Sequence, residues 1–208
     1  MLTIAWDVDD VLNNLMRAWF EQEWLPGHPD CPCRYEGITE NPPDRLLGVA
    51  RSDYLDSLDR FRLSPAAGRL EPTPEVIAWF HRHGHRFRHM ALTATPLRSA
   101  HLAAEWVLRH YGRWIRSFHF VPSPRKDEPD LPYDRTKEDF FRRGNKVDLF
   151  IDDNPIHIDA ARRVGIRTLI MPRPWNGERQ TLSAMLDTLS LLDNPSRGES
   201  LLGGNELT

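Results

Sequence analysis

The sequence predicts an α/β fold: a parallel sheet covered by helices on both faces, with a small helical cap inserted after the first strand. Three observations support it. The chain opens on an apolar run, Ile4-Ala5-Trp6, that stops at the carboxylates Asp7, Asp9 and Asp10. From residue 72 to 192, strand-like and helix-like segments alternate, as they do where right-handed crossovers join parallel strands. Between these parts, residues 13–70 read as a mostly helical insertion. The expected division is a core of 1–12 and 71–193, a cap of 13–70 and a flexible tail of 194–208.

The first strand ends in acids, which are disfavoured in a strand interior. At the carboxyl end of a buried strand they stand where open α/β sheets bind ligands. Asp7 and Asp9 can both reach one ligand if the chain turns there, and like charges that close need a cation or a proton between them. The segment alone fits a metal site with a carboxylate nucleophile, or an acidic turn with a capping Asp. Leu12, Leu15, Met16, Trp19, Phe20 and Trp24 then recur at helical spacing. Such a stripe is chiefly core, with one or two rings free to face a substrate. Residues 25–45 are proline-rich loop. His28, Cys31 and Cys33 lie there, but the C-x-C spacing and the lack of a second pair argue against zinc. Leu46, Leu47, Ala50, Tyr54, Leu55 and Leu58 predict a second helix.

In the regular half, Thr73 predicts an N-cap with Pro74 at the first helical position. Val76, Ile77 and Phe80 give that helix its apolar face, and Gly84 stops it. Residues 87–92 read as a strand ending in Thr93-Ala94-Thr95-Pro96. A helix carrying Ala103, Ala104, Val107, Leu108 and Tyr111 follows, then a strand at 118–121 and a loop at 122–135. Thr136-Lys137 opens a short helix that closes at Gly144. A strand at 147–151 ends in Asp152-Asp153-Asn154-Pro155, and a helix to Gly165 leads to a strand at 168–171. After the loop 172–177, Leu182, Met185, Leu186 and Leu189 mark the last helix. In a parallel sheet all carboxyl ends share one edge. Asp7, Asp9, Thr93 and Asp152/Asp153 should therefore converge, with Lys137 on the same side.

Composition narrows the partners. A net charge of −3 over 208 residues disfavours a nucleic-acid polymer. No apolar run approaches the roughly 20 residues of a membrane span. Met1 leads straight into the first strand, so a cytoplasmic location without a signal peptide is expected, with Cys31 and Cys33 reduced.

The convergent residues form a coherent chemistry. Asp7 and one of Asp152/Asp153 can hold Mg²⁺, which prefers oxygen ligands. A carboxylate nucleophile splits a phosphoester hydrolysis into two easier steps. Asp9 can protonate the leaving oxygen and later activate water. Thr93 can donate to a phosphate oxygen, and Lys137 supplies positive charge to the phosphate.

Asp7-Val8-Asp9-Asp10-Val11-Leu12 resembles the first motif of the haloacid dehalogenase superfamily, D-x-D-x-[TV]-L. Ala91-Leu92-Thr93 is similar to the second, Lys137 to the third and Phe150-Ile151-Asp152-Asp153 to the fourth. The resemblance implies a Rossmann-like core and a Mg²⁺-dependent phosphomonoester hydrolase acting through an aspartyl-phosphate on a small phosphorylated metabolite. It implies Asp7 as nucleophile and Asp9 as general acid/base. The Asp7 carboxylate, the Asp9 carbonyl and Asp153 would hold the metal, with Asp152 behind them. Val8, Asp9, Thr93, Ala94 and Lys137 would meet the phosphate. A closer resemblance, through Thr93-Ala94-Thr95-Pro96, Asp152-Asp153 and Arg173-Pro174-Trp175-Asn176, is to the 5'(3')-deoxyribonucleotidases. It makes a nucleoside monophosphate one candidate, with Phe20, Trp19 or Trp24 against its base.

Lys137 is preferred over Lys126, in the proline loop, and Lys146, at the start of a strand. Asp10 stands where many superfamily members have Gly, and reads as a helix cap. His81, His83, His85 and His89 straddle a helix end at the far edge of the sheet and read as a solvated face. A phosphotransferase on the same site and a non-catalytic phosphate-ligand-binding protein are the alternatives; a dehalogenase would need neither the second Asp nor the metal.

Overall fold

The computed structural model describes residues 1–192, so the expectation for 194–208 lies outside them. The chain runs β1 (Thr3–Trp6), α1 (Leu15–Trp19), a π-helical segment (Phe20–Trp24), α2 (Leu25–Gly27), α3 (Arg51–Arg62) and α4 (Pro65–Gly68). It continues α5 (Pro74–His83), β2 (Arg88–Thr95), α6 (Leu97–Tyr111), β3 (Ile115–Pro122) and α7 (Lys137–Arg142). It ends β4 (Leu149–Asp152), α8 (Pro155–Arg163), β5 (Arg167–Ile170) and α9 (Leu182–Leu191).

The strands form one parallel sheet in the order β3-β2-β1-β4-β5. β1 is central, with Trp6 level with Ala91 on one side and Ile151 on the other. The chain first builds outward through β2 and β3, then returns to lay β4 on the far side of β1. Such sheets bind ligands in the crevice at that reversal, where Asp7 and Asp152 end adjacent strands.

Strand periodicity explains why both faces are covered. Ile4, Trp6, Ala91, Leu149 and Ile151 point to one face and pack with α5, α6 and α9. Ala5, Leu92 and Phe150 point to the other and pack with α7 and α8. The insertion has its own apolar cluster, with Trp19 and Phe20 fully buried beside Trp24, Tyr54, Leu58 and Phe61. Each large side chain so buried contributes about 1.5–3 kcal/mol. Trp19 Nε1 donates to Ser57 Oγ at 3.1 Å, which keeps the indole nitrogen satisfied inside that cluster.

The incoming and outgoing ends of the insertion are stitched together. The Thr73 N–H and the Tyr111 hydroxyl both donate to the Leu12 carbonyl, at 2.8 and 3.0 Å. Thr73 is the N-cap of α5 with Pro74 after it, but its hydroxyl donates to the Val11 carbonyl at 3.3 Å and not to its own helix. Trp106 Nε1 and Arg109 Nη1 of α6 donate to the carbonyls of Leu70 and Gly68, at 2.8 and 3.1 Å.

Several boundaries differ from those read in the sequence. β2 runs on to Thr95, with Thr93 paired to Phe120; its β-branched threonines suit a ladder. β3 begins at Ile115 and α6 at Leu97. Leu46 and Leu47 lie in a turn, not in α3: Gly48 takes φ +68° and breaks the helical path. The histidine group is no uniform solvated face. His81 and His85 are exposed, but His89 is buried, because strand alternation places it on the core side with Ala91. Trp6 Nε1 donates to His89 Nδ1 at 3.0 Å, and His89 Nε2 lies 2.8 Å from the Gly84 carbonyl. The ring is thus neutral with its proton on Nε2. Burial pushes its pKa down to about 4, against the pull of the Gly84 carbonyl. No helix among the described residues is long and apolar enough to cross a membrane.

Candidate active site

Asp7 leaves β1 still in register, its N–H donating to the Ile151 carbonyl at 2.9 Å. Lys137 reaches it from the first position of α7. That helix start is held by a reciprocal capping box: the Asp139 N–H donates to Thr136 Oγ1 at 3.1 Å, and the Thr136 N–H to Asp139 Oδ2 at 2.9 Å. Lys137 Nζ then donates to Asp7 Oδ1 and Asp152 Oδ2, both at 2.6 Å, and lies 5.2 Å from the Phe150 ring centroid. The lysine is 2% exposed. Asp152 also accepts the Asn154 N–H at 2.8 Å and has His157 Nδ1 at 3.1 Å.

Burying charge costs several kcal/mol per ion unless partners compensate, and the four groups divide on that basis. For Asp152, burial acts upward, but Lys137 and then His157 outweigh it and hold the carboxyl below its usual range. For Lys137, burial acts downward, but Asp152 and Asp7 outweigh it and hold the ammonium firmly charged. Asp7 is pushed up to about 6 by burial, against the pull of Lys137 and with Asp152 adding to the rise. Asp153 is raised by burial and then by Asp152, Asp10 and Asp7.

Asp153 is fixed from the loop after β5. Trp175 Nε1 donates to its Oδ2 at 2.8 Å, and Asn176 Nδ2 to its carbonyl at 2.8 Å. Its Oδ1 has no hydrogen bond among the described residues. Ligand oxygens of Asp7, Asp152 and Asp153 lie within 4.8 Å of one another. An all-oxygen, buried and under-compensated acid set is the donor chemistry a hard divalent cation takes. The residues therefore fit Mg²⁺, and since Asp152 is committed to Lys137, His157 and Asn154, Asp7 and Asp153 are the freer ligands.

The turn after Asp7 is built by its own polar groups. Asp10 takes φ +62°, a left-handed conformation that Asp tolerates better than most residues. Asn13 Oδ1 accepts the Leu15 and Asp10 N–H groups at 3.0 and 3.2 Å, and Asp10 Oδ1 accepts the Met16 N–H at 3.0 Å. These satisfy orphan donors of the first turn of α1, although its N-cap position is Asn14 and not the Asp10 expected from the sequence. Arg173 Nε donates to the Asp10 carbonyl at 2.7 Å. Burial pushes the Asp10 carboxyl up to about 7, opposed by Arg173 and helped by Asp9.

Asp9 faces the insertion. Its Oδ1 lies 3.4 Å from Asn13 Nδ2, and its Oδ2 accepts Arg62 Nη2 of α3 at 3.1 Å. Arg62 Nη1 also donates to Asp59 Oδ1 at 3.1 Å, and Asp59 takes both Nε and Nη2 of Arg125 at 2.5 and 2.9 Å. A chain of alternating charge thus runs from core to insertion to the 123–136 loop. Arg62, Arg125 and Asp59 were not read in the sequence, since nothing marks one arginine of α3 or one of the loop as site-facing. Trp175 was read within its motif, but its bond to Asp153 was not.

A cleft of about 270 Å³ opens over these groups. Asp7, Asp9, Ala94 and Asp153 floor it, and Met16, Tyr54, Leu58 and Arg62 of the insertion roof it. Thr93, buried in β2, and Val8, buried in the turn, do not themselves line the cleft. Phe20 is placed differently from its sequence reading. It is fully buried with Trp19 and Trp24 inside the insertion, because the apolar stripe closes on α3 and not on the cleft. Lys126 and Lys146 are exposed; Lys146 borders a surface cavity with Thr3, at the amino end of β1. Cys31 and Cys33 are free thiols, and the acid trio is the metal-competent cluster among the described residues.

No protein-family model matches the chain, and no curated protein matches it. Its architecture is similar to those of several solved structures. A haloacid dehalogenase-like family hydrolase from Streptococcus pneumoniae superposes with a TM-score of 0.54 at 12% identity, over 89% of this chain and 90% of that one. A protein described as a predicted phosphatase from Clostridium acetobutylicum gives 0.56 at 10%, over 88% and 90%. YfnB from Bacillus subtilis, named as a HAD-hydrolase and solved bound to magnesium, gives 0.56 at 15%, over 93% and 98%. At these identities the likeness is one of architecture: the chain has the α/β fold of haloacid dehalogenase-like hydrolases.

Proposed function

We propose that this protein is a Mg²⁺-dependent phosphomonoester hydrolase that works through an aspartyl-phosphate on a small phosphorylated metabolite. The observation that carries the reading is the buried Lys137 ammonium donating at 2.6 Å to both Asp7 and Asp152, with Asp153 within metal-sharing distance. Packing alone gives no reason to gather these charges at one sheet edge. The neighbours named as hydrolases and phosphatases support the reaction class at the level of fold.

In this reading one Asp7 carboxylate oxygen attacks phosphorus, and the bond from phosphorus to the ester oxygen breaks. Asp9 gives that oxygen its proton. A water molecule then attacks the acyl-phosphate, Asp9 takes its proton, and the bond between phosphorus and Asp7 breaks to free phosphate. Lys137 holds Asp7 in place and offsets charge on the phosphoryl oxygens. The Thr93 hydroxyl and the backbone at Val8 and Ala94 hold the phosphoryl group. Mg²⁺, held by Asp7, Asp153 and the Asp9 carbonyl, would neutralise the crowded acids and polarise a phosphate oxygen.

The test is phosphate release from a panel of phosphomonoesters, nucleoside monophosphates included, with Mg²⁺ and with chelator. Turnover is expected to need the metal and to vanish in a folded Asp7→Asn variant; full activity in that variant overturns the assignment. Transfer to an added alcohol exceeding hydrolysis would make the protein a phosphotransferase. Tight binding of phosphate analogues without turnover would make it a binding protein.

A further inference from the structure

Asp9, Leu15 and Arg62 stand in the wall between two cavities. One is the cleft that holds Asp7 and Asp153. The other, of about 300 Å³, lies in the seam between α4 and α6. Its walls are Leu63, Ala67, Leu70, Leu102, Ala103 and Trp106. Most of the polar groups that line it are already engaged, the exception being Arg62 Nε, which is buried without a hydrogen-bond partner among the described residues. Trp106 Nε1 donates to the Leu70 carbonyl, Thr95 Oγ1 and Ser99 Oγ lie 3.1 Å apart, and Arg109 is held by Gly68 and Glu105. A ligand entering there meets apolar surface and few free donors or acceptors.

Its position relative to the chemistry gives it a role. In a phosphoryl transfer the attacking and leaving oxygens stand roughly in line across phosphorus. With Asp7 attacking from the first cleft, the leaving oxygen lies on the far side, within reach of Asp9. Asp9 opens onto both cavities, whereas Asp7 lines only the first. We infer that the second cavity takes the alcohol part of the ester, and that the substrate class is the phosphomonoester of a compact apolar alcohol. This inference rests on the phosphatase reading above. A volume near the lower end of the roughly 300–1,000 Å³ usual for ligand pockets sets the word compact, and the engaged polar lining disfavours a nucleoside, whose base needs free hydrogen-bonding partners.

The experiment is a chain-length series, ethyl to pentyl phosphate, with glycerol phosphate and nucleoside monophosphates alongside. In the wild type, kcat/KM is expected to rise roughly fourfold per methylene, and pentyl phosphate to exceed the polar esters. Each variant is read as its own pentyl-to-ethyl ratio, which cancels any general loss. Ala103→Leu is expected to collapse that ratio at least tenfold, and Leu102→Ala to move the preferred chain length upward. A flat series, a ratio unchanged in both variants, or a preference for a nucleoside monophosphate overturns the cavity assignment while leaving the phosphatase reading intact. Binding gives a readout independent of turnover. Pentanol is expected to shift the Trp106 indole N–H resonance in the wild type and not in Ala103→Leu. Those shifts without hydrolysis of any ester overturn the phosphatase reading and support an apolar ligand cavity; their absence overturns the cavity.

Discussion

His89 makes the stability of this protein depend on pH with a sign that can be checked. The ring is buried, receives the Trp6 indole N–H and faces the Gly84 carbonyl, so protonating it would force a second N–H against a donor. Its pKa falls from 6.5 to about 4 in the fold. A base depressed on folding binds protons more readily in the unfolded chain. Its contribution is therefore complete above about pH 6.5 and is lost as pH falls toward 4. The full span is about 3 kcal/mol, a large part of the 5–15 kcal/mol typical of a domain. Asp7 and Asp10, raised to about 6 and about 7, act in the opposite direction: their carboxyls favour the fold at low pH and oppose it as pH rises through those values. The wild-type curve alone mixes the two effects. The decisive assay is urea unfolding with chelator between pH 4 and 8, for wild type and His89→Gln. The stability advantage of the wild type is expected to shrink by about 3 kcal/mol from pH 7 to pH 4. A difference that stays constant with pH would refute the assignment of His89 as a buried neutral ring.

Three further outcomes follow from the site. Lys137→Met leaves Asp7 and Asp152 buried without their shared cation and is expected to lower stability by about 3–5 kcal/mol, read by urea unfolding at pH 7. Trp175→Phe keeps a ring against the insertion but removes the donor to Asp153; Mg²⁺ affinity by calorimetry is expected to fall about 10- to 100-fold, with little change in unfolding midpoint. Asp10→Ala loses the bond to the Met16 N–H and keeps a Cβ at φ +62°, whereas Asp10→Gly loses the bond and relieves the Cβ strain. Glycine is expected to be the more stable of the two by about 1 kcal/mol, by thermal unfolding in parallel.

The parts of the site that could be read in the sequence are those whose position follows from local rules. Asp7 and Asp152 each terminate an apolar strand, Lys137 follows a Thr that can cap a helix, and a parallel sheet puts strand ends on one edge. The same rules give the alternation of Ile4, Ala5 and Trp6 between the two faces. What escaped depends on how the insertion lies on the core. Arg62 meets Asp9 across 53 positions of chain, and its identity is no different from that of Arg60 beside it, which faces Glu23. Phe20 and Trp19 follow a stripe that says only that they are buried, not against what. His89 escapes a sequence reading because its neighbours in sequence are polar, while strand alternation, together with Trp6 and Gly84 from elsewhere in the chain, makes its place interior.

The shared carbonyl of Leu12 separates two evolutionary problems. Because the chain departs for the insertion and comes back within one hydrogen bond, Thr73 N–H to Leu12 O at 2.8 Å, the core does not need any particular length or shape of excursion between them. Asp7, Lys137 and Asp152 hold one another within the core, while Asp9 and Asp10 bond Arg62 and Met16 of the insertion, and Trp175, which holds Asp153, packs against its Tyr35. Under the proposed hydrolase reading, replacing residues 14–71 by a short turn is expected to cost selectivity for the alcohol first, with the contacts among Asp7, Lys137 and Asp152 kept.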